Sequence, residues 1–134
     1  MPHADLNGAH IHFTDTGGNN EAIVFSHGLL FSGAMYDEQV AYFRDRYRCI
    51  TFDHRGQGQS GVTKDGYDMA TLKADAAALI GHLGIAPCHF VGLSMGGFVG
   101  MRLAARKPEL LKTLTLLDTS ADPEPKESAP KYRT

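Results

Sequence analysis

One serine in this chain stands where the surrounding glycines leave room for a sharp turn. Residues 92–97 read GLSMGG, so Gly92, Ser94 and Gly96 form G-x-S-x-G, with Gly97 directly after. A serine hydroxyl is a weak nucleophile at its ordinary pKa. It becomes useful when it is presented beside a base and beside donors for a developing oxyanion. A nucleophile on a strand-to-helix turn is held in a strained backbone, and side chains two positions to either side would crowd it. Gly92 and Gly96 occupy those two positions, and Gly97 and Gly100 would let the following helix pack close to a sheet. The plainer alternative makes Ser94 a helix N-cap and the glycines packing residues only.

A helix starting at Met95 carries orphan N–H donors and partial positive charge at its first turn, which makes Met95 N–H an oxyanion donor. The second donor is expected from the loop after the first buried strand, AIVFS. There His27-Gly28 brings backbone close, and Leu29 N–H is the candidate. The base has to be found by position in the fold, and all seven histidines (3, 10, 12, 27, 54, 82 and 89) precede Ser94. His89 lies five residues upstream on the same strand, roughly 16 Å away at ~3.3 Å per residue. His82 falls near the C-terminal end of its helix, at the opposite rim. Only His27 and His54 belong at the correct rim, and both are better explained as parts of their own turns. Asp118, with Asp122 nearby, marks the end of the last apolar strand, where an acid could stand.

The elements that must hold these residues alternate regularly. Asn7-Gly8 in LNGAHIHFTDTG reads as a hairpin turn between two antiparallel strands. AIVFS, CITFD, HFVGLS and TLTLLD are short apolar runs, typical of strands buried on both faces. Between them, Tyr36, Val40, Phe43 and Tyr47 predict a helix over 35–47. Met69, Leu72, Ala76, Leu79, Ile80 and Leu83 predict a second, with Asp68 as N-cap and Gly84 as its stop, and a third runs from Met95 to Arg106. This order predicts an α/β fold: a mostly parallel sheet with helices on both faces and an N-terminal antiparallel hairpin. In such a sheet the functional crevice lies at the carboxyl ends of the strands. There SHGLL, DHRGQGQS, GLSMGG and DTSAD converge. Met35 and Phe31 could line an acyl pocket or simply pack in the core.

Composition narrows the function class. The 134 residues carry a net charge of −2, 43% hydrophobic and 21% charged residues, enough for one ordinary soluble domain. That charge gives no case for nucleic acid or an anionic membrane surface, and no apolar run is long enough to span a bilayer. The first ten residues lack the basic and apolar regions of a secretory signal. Cys49 and Cys88 lack metal-ligand spacing, so they read as small buried hydrophobes in a reduced, cytoplasmic chain with no metal. GQGQSG at 56–61 literally fits a dinucleotide fingerprint, but that motif must open a helix. Here VTKDGYD follows as a loop, so no cofactor is expected. Asp53 and Arg55 more naturally hold that loop through local polar bonds.

SHG at 26–28, DHRGQGQS at 53–60, GLSMGG at 92–97 and LLDTSADPEP at 116–125 together resemble, in order, the N-terminal half of an α/β-hydrolase. The likeness is to the esterase, enol-lactonase and cofactor-free haloperoxidase-like branch, and it covers nearly the whole chain. It implies Ser94 as nucleophile, Leu29 and Met95 N–H as oxyanion hole, and a Ser–acid–His triad acting on a small carboxylic ester, lactone or related acyl substrate. It also implies a partial core without the cap and C-terminal strands. Residues 1–118 then form half of a hydrolase core, and the proline- and charge-rich 119–134 lie where a cap would begin. The apolar TLTLLD strand is expected at a sheet edge, open to a complementary C-terminal chain or to self-association. The competing reading is a non-catalytic remnant that assembles through that edge.

Overall fold

A computed structural model of the chain describes residues 3–28, 32–62 and 68–117. Asn7 and Gly8 both take positive φ, 51° and 80°, the backbone of a tight hairpin turn. They join β1 (His3–Leu6) to β2 (Ala9–Asp15), with Leu6 opposite Ala9. Four further strands follow: β3 (Ala22–Ser26), β4 (Arg48–Phe52), β5 (Cys88–Leu93) and β6 (Leu111–Leu117). The six-stranded sheet runs β1-β2-β4-β3-β5-β6; β2 meets β4 antiparallel, and every pairing beyond β4 is parallel.

Three helices, α1 (Asp37–Phe43), α2 (Met69–Leu83) and α3 (Met95–Arg106), make the crossovers. The β3-to-β4 step moves one way along the sheet, whereas β4-to-β5 and β5-to-β6 move the other. With right-handed crossovers, α1 must lie on one face and α2 and α3 on the opposite one. The packing agrees. Val24, Ile50, Phe52 and Phe90 join Leu72, Leu79, Val99 and Leu103 in one core cluster. The alternate residues Ile23, Phe25 and Cys49 join Tyr36, Val40 and Phe43 in another. A strand apolar at every position thus feeds two cores.

α2 follows its sequence signals closely. Asp68 accepts a hydrogen bond from Thr71 N, and Gly84 ends the helix at φ 65°, ψ 37°. The predicted 35–47 helix is shorter than its periodicity. Gly33–Tyr36 form a 3₁₀ turn and the chain leaves α1 at Arg44, so Tyr47 reaches the same core from the turn that enters β4. Ser32 accepts from Ala34 N, and Gly33 packs so closely on Thr51 that a Cβ there would sit 3.0 Å from it.

β6 is one edge of the sheet, β1 being the other, and Leu116 and Leu117 are 38% and 43% exposed. Beside it, on the α1 face, lies a groove of about 430 Å³ lined by Phe25, Phe43, Tyr47, Val91, Leu93 and Leu117, among others. Ser94 does not line this groove, which is sheet surface left between α1 and β6. Met35 lines it while also packing against the α1-side core; Phe31, Leu29 and Asp118 lie outside the described residues, as does the 119–134 tail.

Candidate active site

Register brings the strand ends level. Ser26 pairs with both Phe52 and Gly92, and Leu93 pairs with Leu117, so the residues after β3, β4 and β5 emerge at one rim. Ser94 is the turn between β5 and α3. Its backbone sits at φ 52°, ψ −111°, one of two non-glycine residues with positive φ among those described. That region is costly for a residue with a Cβ, about 1–3 kcal/mol. Its N–H donates to Leu117 O at 3.0 Å, and its carbonyl accepts from Phe98 N. The side chain is exposed and makes no capping bond to α3, so Ser94 holds the N-cap position without capping the helix through its hydroxyl. Met95 is the first residue of α3, and its N–H belongs to the turn whose donors lack intrahelical acceptors.

The glycines have the steric reasons their spacing implied. A Cβ on Gly92 would lie 2.6 Å from the Gly96 carbonyl carbon and 2.7 Å from Gly97 Cα. One on Gly96 would lie 2.6 Å from Ser26 C and 2.7 Å from His27 O, which puts the elbow directly against the end of β3. One on Gly100 would strike Leu114 Cδ1 at 2.7 Å, so α3 rides close on β5 and β6.

His27 and His54 stand at this rim but turn inward, and neither is exposed. His27 Nε2 accepts from His54 N–H at 2.8 Å, and its Nδ1 lies 2.6 Å from Gly28 O. His54 Nε2 lies 2.9 Å from Ser26 Oγ, while its Nδ1 is buried without a partner among the described residues. Ser26 O accepts from Tyr36 OH at 2.8 Å. Burial holds His27 below its ordinary pKa, against the opposing pull of Gly28 and Asp53. Burial, and then the neighbouring His27, hold His54 well below it. Both rings are spent on the loops they belong to. Their spacing in the chain gave no sign of this mutual contact, because it depends on β3 and β4 ending side by side.

The DHRGQGQS loop was expected to be held by local polar bonds, but most of its bonds reach other elements. Asp53 accepts from Gly33 N at 2.7 Å, Gln59 N at 2.8 Å and His12 Nδ1 at 3.1 Å. Gly58, at φ 54°, leaves the space that the Asp53 carboxylate fills. Arg55 grips Asp75 of α2 through Nε and Nη2 at 2.8 and 2.7 Å and also donates to Asn7 O. Asp75 is the residue sequence reasoning missed; it lies three after Leu72 on the apolar face of α2 and is 1% exposed. A carboxylate on that face was the available signal for a buried partner. Gly61, which ends GQGQSG, and Val62 after it are not helical.

The remaining histidines are elsewhere. His89, near the start of β5, binds Thr113 and Glu21, and His82 sits in the last turn of α2. Cys49 and Cys88 are buried and unpaired; burial raises both thiols, Cys88 to about 12. Among the described residues no three His, Cys, Asp or Glu side chains group as metal ligands, and no helix is long and apolar enough to cross a membrane.

Comparison with known proteins closes on the same frame. A family model described as alpha/beta hydrolase fold matches residues 21–133. The chain is 38% identical over 100 residues to the 3-oxoadipate enol-lactonase 2 of Acinetobacter baylyi, covering 75% of this chain and 38% of that protein. It superposes on the enol-lactonase of Burkholderia xenovorans with a TM-score of 0.85 at 36% identity, over 90% of this chain and 47% of that one. A thermophilic esterase from Thermogutta terrifontis gives 0.86 at 30% identity, over 96% and 49%. The chain therefore spans less than half the length of these relatives. With a hairpin leading into a parallel sheet, a G-x-S-x-G turn at a strand end and this match over most of its length, the chain belongs to the α/β-hydrolase family.

Proposed function

We propose that this chain carries the nucleophile half of a serine acyl hydrolase acting on small carboxylic esters or lactones. The observation that supports it most is the backbone of Ser94: strained, exposed, and aimed by no capping bond. Ser94 Oγ attacks the substrate carbonyl carbon and forms a C–O bond as its proton passes to a histidine. Met95 and Leu29 N–H receive the oxyanion. Collapse expels the alkoxide, which takes that proton, and water then cleaves the acyl-serine by the reverse sequence. His27 and His54, the histidines at this rim, are buried and bonded within their own loops, so we assign the proton-accepting histidine to a part of the fold that the longer relatives contain, or to another chain. The acid comes from there too, or from Asp118. Ester and lactone substrates are favoured by the enol-lactonase and esterase relatives. The two buried thiols fit a reducing cytoplasm.

The experiment is covalent labelling by a p-nitrophenyl alkylphosphonate, in which Ser94 Oγ bonds phosphorus and p-nitrophenolate leaves. Labelling is expected at Ser94, alone or after adding the C-terminal half of a relative, and its absence under both conditions overturns the reading. A second reading, assembly without catalysis, is favoured by the exposed Leu116 and Leu117 on one edge strand. It predicts a stable oligomer whose serine takes no label.

A further inference from the structure

We propose that the groove beside β6 holds a second acyl-transfer site, with Thr113 as nucleophile, His89 as its base and Glu21 orienting the ring. The site is separate from Ser94, since His89 lies at the opposite end of β5. His89 and Thr113 are register partners on neighbouring parallel strands, and both line the groove. His89 Nδ1 lies 2.7 Å from Thr113 Oγ1, and its Nε2 lies 2.7 Å from Glu21 Oε1. An ionised carboxylate can only accept, so the proton of the neutral ring sits on Nε2 and Nδ1 keeps its lone pair. The Thr113 hydroxyl must then donate to Nδ1. Hydroxyl, imidazole and carboxylate stand in the order that activates a nucleophile, with the two ring nitrogens exchanged relative to the Ser–His–Asp arrangement. The bonds from His89 and then from Lys112 hold Glu21 below its ordinary pKa, which keeps it the anion that the ring needs. Lys112 Nζ takes the other carboxylate oxygen at 2.9 Å, and the Tyr47 ring meets His89 edge-on at 5.9 Å.

The groove supplies the substrate class. Its volume of about 430 Å³ falls in the range of small-molecule sites, and Phe25, Phe43, Val91 and Leu93 make its lining apolar. It suits the ester of an unbranched, medium-length acyl chain, whose carbonyl meets Thr113 when the chain lies along the groove. Gln39 lines the same groove and carries amide donors for the oxyanion. Thr113 Oγ1 bonds to the acyl carbon as its proton passes to His89 Nδ1. The C–O bond to the leaving group breaks, and the departing oxygen takes that proton. Water, giving its proton to the same nitrogen, then cleaves the acyl-threonine to the carboxylic acid and restores the hydroxyl.

The test uses the Ser94→Ala chain, so that no product arises from the elbow, with p-nitrophenyl octanoate as the probe. Octanoyl-Thr113 should appear in peptide maps, or p-nitrophenolate should be released with turnover. Either signal should be about tenfold or more faster than with the acetate ester, since each methylene buried in the groove adds to binding. Thr113→Val keeps the shape of the side chain and should abolish both signals, whereas Thr113→Ser should retain them. His89→Phe keeps a ring in the groove and should slow the reaction about tenfold or more. Glu21→Leu, at a half-exposed position, should slow it while the melting temperature holds. Octanoylation at Lys112 in place of Thr113, or a rate unchanged in Thr113→Val or His89→Phe, overturns the proposal. Absence of both signals from the Ser94→Ala chain overturns it as well. If the phosphonate leaves Ser94 unlabelled, the nucleophile reading of the elbow fails, and the octanoate result alone decides the groove site.

Discussion

Ser94→Gly should make this protein more stable while removing its candidate nucleophile. At φ 52°, ψ −111° the serine Cβ crowds its own backbone, at a cost of about 1–3 kcal/mol. Glycine reaches this region without that crowding but loses about 0.5–1 kcal/mol through greater freedom in the unfolded chain. The net gain is about 0–2.5 kcal/mol, or up to about 10 °C in Tm for a domain of this size. Ser94→Ala is the control, because it removes the hydroxyl but keeps the Cβ and therefore the strain. The hydroxyl makes no helix-capping bond whose loss would confuse the comparison. The assay is urea denaturation at constant m-value, with thermal melts alongside. The decisive quantity is the difference between the glycine and alanine variants. If glycine is no more stable than alanine, the turn at Ser94 is not strained, and the main support for its role as nucleophile goes with it.

Other predictions follow from the same contacts. Gly96→Ala forces a Cβ onto the backbone carbonyls of Ser26 and His27 and should cost about 3 kcal/mol or prevent folding. Gly81→Ala, in the interior of α2 with nothing within 4 Å of the new methyl, should gain up to about 1 kcal/mol; a matching effect at both sites would contradict the packing. Asp75→Ala strands the buried Arg55 guanidinium and should destabilise by about 3–5 kcal/mol in the same assay, whereas a loss below about 1 kcal/mol would show the pair to be solvated. Because burial lowers the folded pKa of His27 and His54 below the unfolded ~6.5, the unfolded chain takes up protons first as pH falls. Their contribution is therefore complete above pH ~6.5 and declines below it by up to about 1.4 kcal/mol per pH unit for each ring. Stability that is flat from pH 7.5 to 5.5 would refute this. Asp15, lowered chiefly by its bond to Arg48, loses its contribution only as pH falls below the usual carboxylate range near 3.9, so its loss begins at lower pH than that of the histidines.

Local chemistry made much of this molecule legible in its residues. Asn7-Gly8 specified a hairpin because few other pairs tolerate two positive φ values, and Asp68 and Gly84 marked the ends of α2 through their hydrogen bond and left-handed backbone. Four apolar runs separated by helical periodicity implied the parallel sheet. The G-x-S-x-G spacing implied a crowded turn, and a Cβ on Gly92 would meet Gly96 and Gly97 within it. Each of these is decided within a few residues. The length of α1 was not, because its periodic residues Tyr36 and Tyr47 reach the core from turns on either side of the helix.

Tertiary structure alone decided what depends on residues far apart in the chain. His27 and His54 could be assigned to the right rim from their strand ends, but their contact and their withdrawal from solvent require β3 and β4 to finish level. Arg55 was expected to make local bonds, yet its strongest partner is Asp75, twenty residues on and in another element. Spacing can specify a backbone strained at one serine, since that strain is local. It cannot say which side chains meet across a sheet, since register and crossover geometry settle those distances only when the chain folds.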